Sequence, residues 1–391
     1  MAVILGSKPP IPLTQVVIGA SKTFTSPITG RIKVIITGGG GQGGFLANKN
    51  ATVESQEGDA TGGGAGGYSE KTFAVSTGET FTITVGAGGA TTLAMNDVNS
   101  SRVGNNGGNT SFVTASAAET VNMVANGGGG GQFSASTSSA VTTAGGTGGT
   151  ASGGDFNFTG GAGGSITRVA GCDKNSAVTG GGSTSITGTA YHGGDVTMTS
   201  AVGGQDKIIA TGGAGVGGSG GDVLGLTSSD AFAYISSGGS AAQSGNTNSG
   251  AITTATNIQA AGAAGAPINT ATISGLDAQG ESGIAYYYYT NQTFGSNGGI
   301  GAGGSGAAMQ NSTNSTTWYA YGGNGGGFAG GGACMIVSGT DSTAASGHRA
   351  GAGGTGGGGS GAYSGPFSTM TSAGGRAWAA GGAGVCIIMF V

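Results

Sequence analysis

Few residues of this chain could carry out acid–base or metal chemistry. Among 391 residues there are two histidines, His192 and His348. A single histidine is usually a solvated or hydrogen-bonded residue, and no HExxH or Walker sequence accompanies either one. The three cysteines, Cys172, Cys334 and Cys386, are too widely spaced for a CxxC metal pair. Cys386 lies in an apolar run and is expected to be a buried thiol. The sequence therefore predicts no catalytic residue, and we do not expect an enzyme.

Three aspartates follow glycine pairs in similar short motifs. They are Asp155 in GGDFNFT, Asp195 in GGDVTMT and Asp222 in GGDVLGL. Carboxylates are ligands for calcium, but isolated aspartates supply too few oxygens for a site. An aspartate after a glycine pair can instead bond its own backbone in a turn. We therefore expect turn-forming residues, and we predict neither a metal nor a cofactor.

Aromatic side chains are concentrated in two polar inserts between glycine runs, although the whole chain is only 6% aromatic. The clusters are Tyr286, Tyr287, Tyr288 and Tyr289, and then Trp318, Tyr319 and Tyr321. Flat amphipathic rings give contact area at a small entropy cost, which favours contact with a sugar or protein receptor. The alternative is that they cover the side or end of a structure with few other apolar side chains.

The elements that must position these residues are the glycine runs, since 94 residues are glycine. Glycine in a helix or strand costs about 0.5–1 kcal/mol per position, so recurring runs indicate a structure that uses the missing Cβ. Polyproline-II-like helices have three residues per turn, and they can bond to one another through backbone groups when no side chain intervenes. We expect residues 212–221 to form one such rod, about 31 Å long. The glycines predicted to be structural are Gly212, Gly213, Gly217, Gly218, Gly298, Gly299, Gly303 and Gly304.

The overall composition excludes several classes of protein. Charged residues make up 7% of the chain and the net charge is −4, whereas disordered chains usually combine low hydrophobicity with high charge. Lysine and arginine are not clustered, so we expect no nucleic-acid partner. No segment reaches the ~18 apolar residues of a membrane span, and the N-terminus lacks the pattern of a secretory signal. We therefore expect neither membrane insertion nor export through a signal peptide.

Strand patterns occur near both ends of the chain. Ile32, Val34 and Ile36 alternate with other residues before the first glycine run, and a hairpin pattern follows at residues 71–85. The final run, GVCIIMFV, is too apolar for an exposed edge strand and needs a partner, which the first strands can supply. The sequence thus predicts an all-β fold with essentially no α-helix. It combines a small, split β-sandwich-like domain with a large polyglycine-II helix bundle and polar loops.

Three regions follow from this interpretation. Residues 1–20 are expected to be an arm for attachment or strand exchange, because three prolines favour an extended path. Residues 21–125 and 385–391 form the predicted β-domain. Residues 126–384 form the predicted glycine-rich bundle with variable loops.

Four segments carry a resemblance to a known family. They are TFTSPITGRIKVIITGGGGQGG, GGGAGGYSEKTFAVSTGETFTITVGAGGA, NGGGGG and GGAGVCIIMFV. Over residues 21–131 and 374–391 the chain resembles the glycine-rich domain of bacteriophage tail-fibre and other virion proteins. The middle resembles, more loosely, T-even phage tail-fibre adhesins, which stack polyglycine-II helices and carry receptor-binding loops at the tip.

The resemblance implies a virion protein that is assembled in the host cytoplasm and acts outside the cell. Its expected partners are other virion proteins or identical subunits, and a host surface glycan or outer-membrane protein. A different reading is a structural subunit of a filament or capsid decoration, joined to its neighbours by strand addition. A third is a disordered, low-complexity matrix protein.

Overall fold

The described part of the protein consists of β-strands and glycine-rich segments. The computed structural model describes residues 15–47, 58–90, 102–135, 139–171, 175–184, 188, 190–198, 207–226, 233–235, 259–260, 286–287, 292–294, 297–298, 303–304, 306–311, 317–338, 345–365 and 379–391. Within these ranges no residue is helical, so the predicted all-β class is confirmed. Among the same residues there is no helix long and apolar enough to cross a membrane.

The described residues form 28 strands. In chain order they are β1 Gln15–Ile18, β2 Lys22–Thr25, β3 Gly30–Thr37, β4 Phe45–Ala47, β5 Gly58–Ala60, β6 Tyr68–Val75, β7 Thr80–Thr84, β8 Thr110–Ser116, β9 Asn122–Ala125, β10 Phe133–Ala135, β11 Val141–Thr143, β12 Ala151–Ser152, β13 Phe156–Phe158, β14 Ile166–Arg168, β15 Asn175–Val178, β16 Val196–Met198, β17 Lys207–Ala210, β18 Val223–Leu226, β19 Ala233–Ile235, β20 Gln259–Ala260, β21 Tyr286–Tyr287, β22 Gln292–Phe294, β23 Ala307–Asn311, β24 Thr317–Tyr321, β25 Cys334–Ser338, β26 Ala345–Arg349, β27 Ala362–Gly365 and β28 Val385–Phe390.

Two antiparallel five-stranded sheets form a unit that we call the split sandwich. Their strand orders are β1-β28-β3-β6-β13 and β12-β9-β8-β7-β2. The last strand, β28, lies between β1 and β3, so strands from both ends of the chain share one sheet. The predicted split β-domain is therefore present. The predicted boundaries of the three regions, including the arm at residues 1–20, stay a prediction.

The core of the split sandwich is built by alternation along its strands. Ile32, Val34 and Ile36 of β3 are all fully buried, as expected when every second side chain of a strand faces the core. From the other sheet, Phe81 and Phe112 stack with ring centroids 4.8 Å apart. The core also includes Ile18, Phe24, Phe73, Val75, Ile83, Val121, Met123, Ala125, Cys386 and Ile388. The predicted burial of Cys386 is confirmed, and burial raises the pKa of its thiol to about 12.

Glycine-rich segments, which we call rods, connect the split sandwich to four further sheets, which we call the far sheets. The orders of the far sheets are β10-β5-β15-β17-β19-β20, β11-β14-β16-β18, β21-β23-β25-β27-β4 and β22-β24-β26. The rod at residues 38–44 links β3 to β4, and the rod at 126–132 links β9 to β10. The far sheets bury apolar side chains of their own, among them Phe45, Ile209 and Met335.

Most strands of the far sheets pair in parallel because the chain returns to each sheet in the same direction. Ile166, Val196 and Val223, for example, are aligned across β14, β16 and β18. Between β17 and β18 the chain runs through residues 211–222, which lead away from the far sheets and back. A strand, the glycine-rich segment that follows it and the next strand together form one repeat of an array.

Residues 212–221 do not form the single rod predicted from the sequence. The N–H of Gly215 donates to the carbonyl of Gly218 at 2.9 Å, so the chain reverses at Val216 and Gly217. The segment is two short antiparallel rods, and the expected length of about 31 Å is wrong. A run of glycines permits a reversal at any position, so its composition does not mark the turn. Comparable turns occur at Phe328, with φ of 67°, and Gly356, with φ of 70°.

Candidate functional site

The rods are joined by backbone hydrogen bonds that repeat every three residues. In the rod at residues 38–44 the distances from donor to acceptor are 2.8 to 3.1 Å. Gly38, Gly41 and Gly44 donate to the rod at 61–67, Gly39 and Gln42 donate to residues 105–108, and Gly40 and Gly43 donate to residues 379–382. A helix with three residues per turn gives this period, because every third N–H points the same way. The polyglycine-II conformation itself stays a prediction.

The distance between rods leaves no room for a side chain. A Cβ atom on Gly41 would lie within 3.0 Å of the carbonyl of Gly129, and one on Gly63 would meet the carbonyl of Gly41 equally closely. Real Cβ atoms essentially never approach another heavy atom that closely. Glycine is therefore required at these positions by the contact between backbones.

The glycines predicted to be structural lie in the same network where the structure describes them. Gly212 accepts from Gly194, Gly213 donates to Gly304, Gly304 donates to Gly330, Gly298 donates to Asn324, and a Cβ on Gly303 would meet Gly213. Gly218 accepts from Gly215, with Gly217 in the reversal between them. Gly299 lies outside the described residues.

Side chains also link successive repeats of the array, in what we call the aspartate ladder. One carboxylate oxygen of Asp195, Oδ1, accepts from the backbone N–H of Ser165 at 2.7 Å. The N–H of Asp195 in turn donates to Oδ1 of Asp222 at 2.8 Å. Asp155 lies elsewhere, in the split sandwich, where its Oδ2 accepts from the N–H of Thr72. The sequence predicted local turns, but each of these bonds joins residues at least 27 positions apart.

An imidazole lies beside the aspartate ladder. Nδ1 of His192 is 3.5 Å from Oδ2 of Asp195 and 2.7 Å from the carbonyl oxygen of Gly193. Ligand atoms of His192, Asp195 and Asp222 all lie within 4.8 Å of one another. The sequence identified all three residues but not their proximity, because their repeats stack through backbone bonds between rods.

A buried ion pair joins two of the far sheets. The guanidinium of Arg168, at the end of β14, donates to Asp59 of β5, and the exposed fractions of their side chains are 0% and 1%. Thr143 Oγ1 also donates to Asp59, at 3.5 Å. Burial raises the pKa of Asp59 to about 6, although the charge and hydrogen bond of Arg168 act to lower it. Sequence reasoning missed this pair, whose members are 109 positions apart.

A family model described as a glycine-rich domain matches residues 15–231, more than half of the chain. This chain belongs to the glycine-rich domain family. The matched segment contains β1 to β18 and the aspartate ladder. The search of curated proteins found no match to this glycine-rich domain protein.

Both predicted aromatic clusters of this glycine-rich domain protein lie beyond the matched segment, in neighbouring far sheets. Tyr286 and Tyr287 form β21, the outermost described strand of its sheet. Trp318, Tyr319 and Tyr321 belong to β24, whose sheet contacts that of β21 through β22 and β23. Tyr321 is half-buried. Tyr288 and Tyr289 lie outside the described residues, and the receptor-binding role of both clusters stays a prediction.

Proposed function

We propose that the protein is a non-enzymatic fibre or adhesin protein of a bacteriophage virion. In this proposal the split sandwich joins other virion proteins or identical subunits, and the far sheets carry loops that bind the host cell surface. The protein is assembled in the host cytoplasm and acts outside the cell. The receptor is a surface glycan or an outer-membrane protein, and neither nucleic acid nor membrane insertion is involved.

The observation that carries this proposal is the hydrogen-bonded set of rods between the split sandwich and the far sheets. The rod at residues 38–44 runs from β3 to β4, and its seven N–H groups bond to three neighbouring segments. Seven residues span at most about 25 Å, and the lateral bonds hinder bending. Such a spacer can hold a binding surface at a set distance from an attachment site. We assign the protein to a virion because residues 21–131 and 374–391 resemble phage virion proteins.

Binding of the fluorescently labelled full chain to a panel of bacterial cells tests the proposal. We expect binding to some strains, and the pair of substitutions Trp318→Ala and Tyr319→Ala should reduce the bound fluorescence at least tenfold. The matched control is Phe156→Ala in β13 of the split sandwich, where the side chain is 57% exposed. This control should bind like the unmodified chain. Absence of binding to every strain, or equal binding by both variants, would contradict the adhesin.

A structural filament or capsid-decorating subunit is the alternative, and β1 favours it. Strand β1 is the outermost described strand of its sheet, and Val17 on it is 61% exposed. An edge of this kind can add a strand from another chain. Sedimentation velocity distinguishes the two functions. Polymers that disappear in Val17→Lys would support the filament, whereas single particles that bind cells would support the adhesin.

A further inference from the structure

One imidazole and two carboxylates meet where three consecutive repeats of the array stack. We propose that His192, Asp195 and Asp222 bind a divalent cation of the zinc class. The inference does not depend on the proposed adhesin function, because it rests only on the stacking of the repeats around residues 165, 195 and 222.

The ligand types fit such a cation. Zinc is bound by imidazole nitrogen and carboxylate oxygen, and a site with three protein ligands holds a water molecule in the fourth position. Ligand atoms of the three residues already lie within 4.8 Å of one another. Nδ1 of His192 donates to the carbonyl oxygen of Gly193 at 2.7 Å, so the other ring nitrogen, Nε2, is the one with a lone pair for the cation. Two ligands of a tetrahedral zinc ion at 2.0–2.2 Å from the metal are about 3.5 Å apart. Calcium fits less well, since it prefers six to eight oxygens.

The surroundings hold the ligands in place. Backbone N–H groups of Ser165 and Asp195 occupy one oxygen of Asp195 and one of Asp222, at 2.7 and 2.8 Å. The backbone carbonyl of His192 accepts from Gly220, two residues before Asp222. The side chains of His192 and Asp195 are 42% and 38% exposed, so a cation can enter from solvent. Outer-shell bonds of this kind orient metal ligands.

Bonds of this kind do not require a carboxylate. In a second ladder of the array, neutral amide oxygens accept the backbone N–H groups instead. Asn297 Oδ1 accepts from the N–H of Asn324 at 2.8 Å, and Asn324 Oδ1 accepts from the N–H of Ala352 at 2.9 Å. Two neighbouring carboxylates repel each other unless a positive charge lies between them. A bound cation would remove this repulsion and join three repeats.

Isothermal titration of the full, tag-free chain with Zn²⁺ tests the site. The protein carries Cys172→Ser in every sample to remove a thiol that could bind zinc, and it is treated with a chelator and dialysed. We expect one Zn²⁺ per chain with a micromolar or lower Kd. The substitutions His192→Gln, Asp195→Asn and Asp222→Asn should each weaken binding at least tenfold. The two asparagine variants keep the oxygen that accepts the backbone N–H, so the aspartate ladder can persist.

The chain offers a matched control in His348→Gln, which changes the other histidine and should bind Zn²⁺ with unchanged affinity. Zn²⁺ should also raise the Tm of the unmodified chain and of His348→Gln, but not that of His192→Gln. The proposal is overturned if the unmodified chain does not bind Zn²⁺ or if His192→Gln binds it with unchanged affinity. It is also overturned if His348→Gln loses as much affinity for Zn²⁺ as His192→Gln does. Binding of Ca²⁺ but not Zn²⁺ would overturn the assignment to a zinc-class cation.

Discussion

At the scale of single residues, the ion pair of Arg168 and Asp59 is the most consequential contact in the far sheets. Both side chains are almost completely buried, so each charge depends on the other. Removing one partner of a buried pair leaves an uncompensated charge and typically costs 3–5 kcal/mol, whereas replacing both by apolar residues is often neutral. Loss of one charge should therefore cost more stability than loss of both.

We predict that Arg168→Met lowers the free energy of unfolding by about 3–5 kcal/mol. The double variant Asp59→Leu with Arg168→Met should recover most of this loss, because no buried charge remains. Urea unfolding followed by tryptophan fluorescence measures both values. If the double variant is no more stable than the single one, the pair does not act through uncompensated charge.

The same carboxyl predicts a dependence of stability on pH. The pKa of Asp59 is raised from 3.8 to about 6 on folding, so the folded protein holds this proton more tightly than the unfolded chain does. The stabilisation from this group is complete below about pH 4 and is lost as the pH rises through about 6, because the cost of burying the carboxylate exceeds its attraction to Arg168. We expect the unmodified chain to lose stability relative to the double variant between pH 4 and 7. Parallel unfolding curves of the two proteins at each pH measure this difference, and a constant difference would refute the prediction.

Sequence reasoning identified the individual residues of the candidate metal site, but it did not predict that they lie close together. Asp195 and Asp222 could be recognised because both follow glycine pairs, and His192 is one of two histidines. Their proximity depends on which rods stack together, and backbone bonds between glycines decide that stacking without any side-chain signal. For the same reason nothing in the sequence around Asp59 indicates Arg168.

At the scale of elements, prediction succeeds where side chains alternate and fails where they are missing. Strand β3 and strand β28 could be predicted because apolar residues recur along them and must be buried. The reversal at Val216 could not be predicted, since the glycines on both sides permit either a straight rod or a turn. The turn at Phe328 likewise has a non-glycine residue at positive φ, which only its surroundings can impose.

The close approach of the rods gives a sharp prediction at this scale. Gly41→Ala should destabilise the protein by at least the ~1–3 kcal/mol typical of overpacking, because the added Cβ would press against the carbonyl of Gly129. Gly19→Ala is the matched control, since nothing lies within 4 Å of a Cβ there. It should change the unfolding free energy by less than about 0.5 kcal/mol. Equal effects of the two substitutions in chemical denaturation would mean that the rods are not packed as described.

At the scale of the whole molecule, the bundle of rods couples two regions that each bury apolar side chains. The split sandwich is closed by β28 from the other end of the chain, and the far sheets are reached from it through the rods. In a bundle with so few side chains, stability must come chiefly from hydrogen bonds between rods. A buried N–H without a partner would cost about 1–3 kcal/mol. Loss of one rod would leave the N–H groups of its neighbours either exposed to water or buried without an acceptor.

Hydrogen exchange tests this coupling directly. Residues 36–46 and 58–69 are buried, and the N–H groups of residues 38–44 all have backbone acceptors. We therefore expect their amides to exchange as slowly as those of β3, although they belong to no helix, and mass spectrometry of peptic peptides can measure this. The same peptides from the chain unfolded in denaturant provide the reference for unprotected exchange. Glycine segments that exchange at the reference rate would show that the rods are not bonded in solution, and would favour a disordered matrix protein over an ordered spacer.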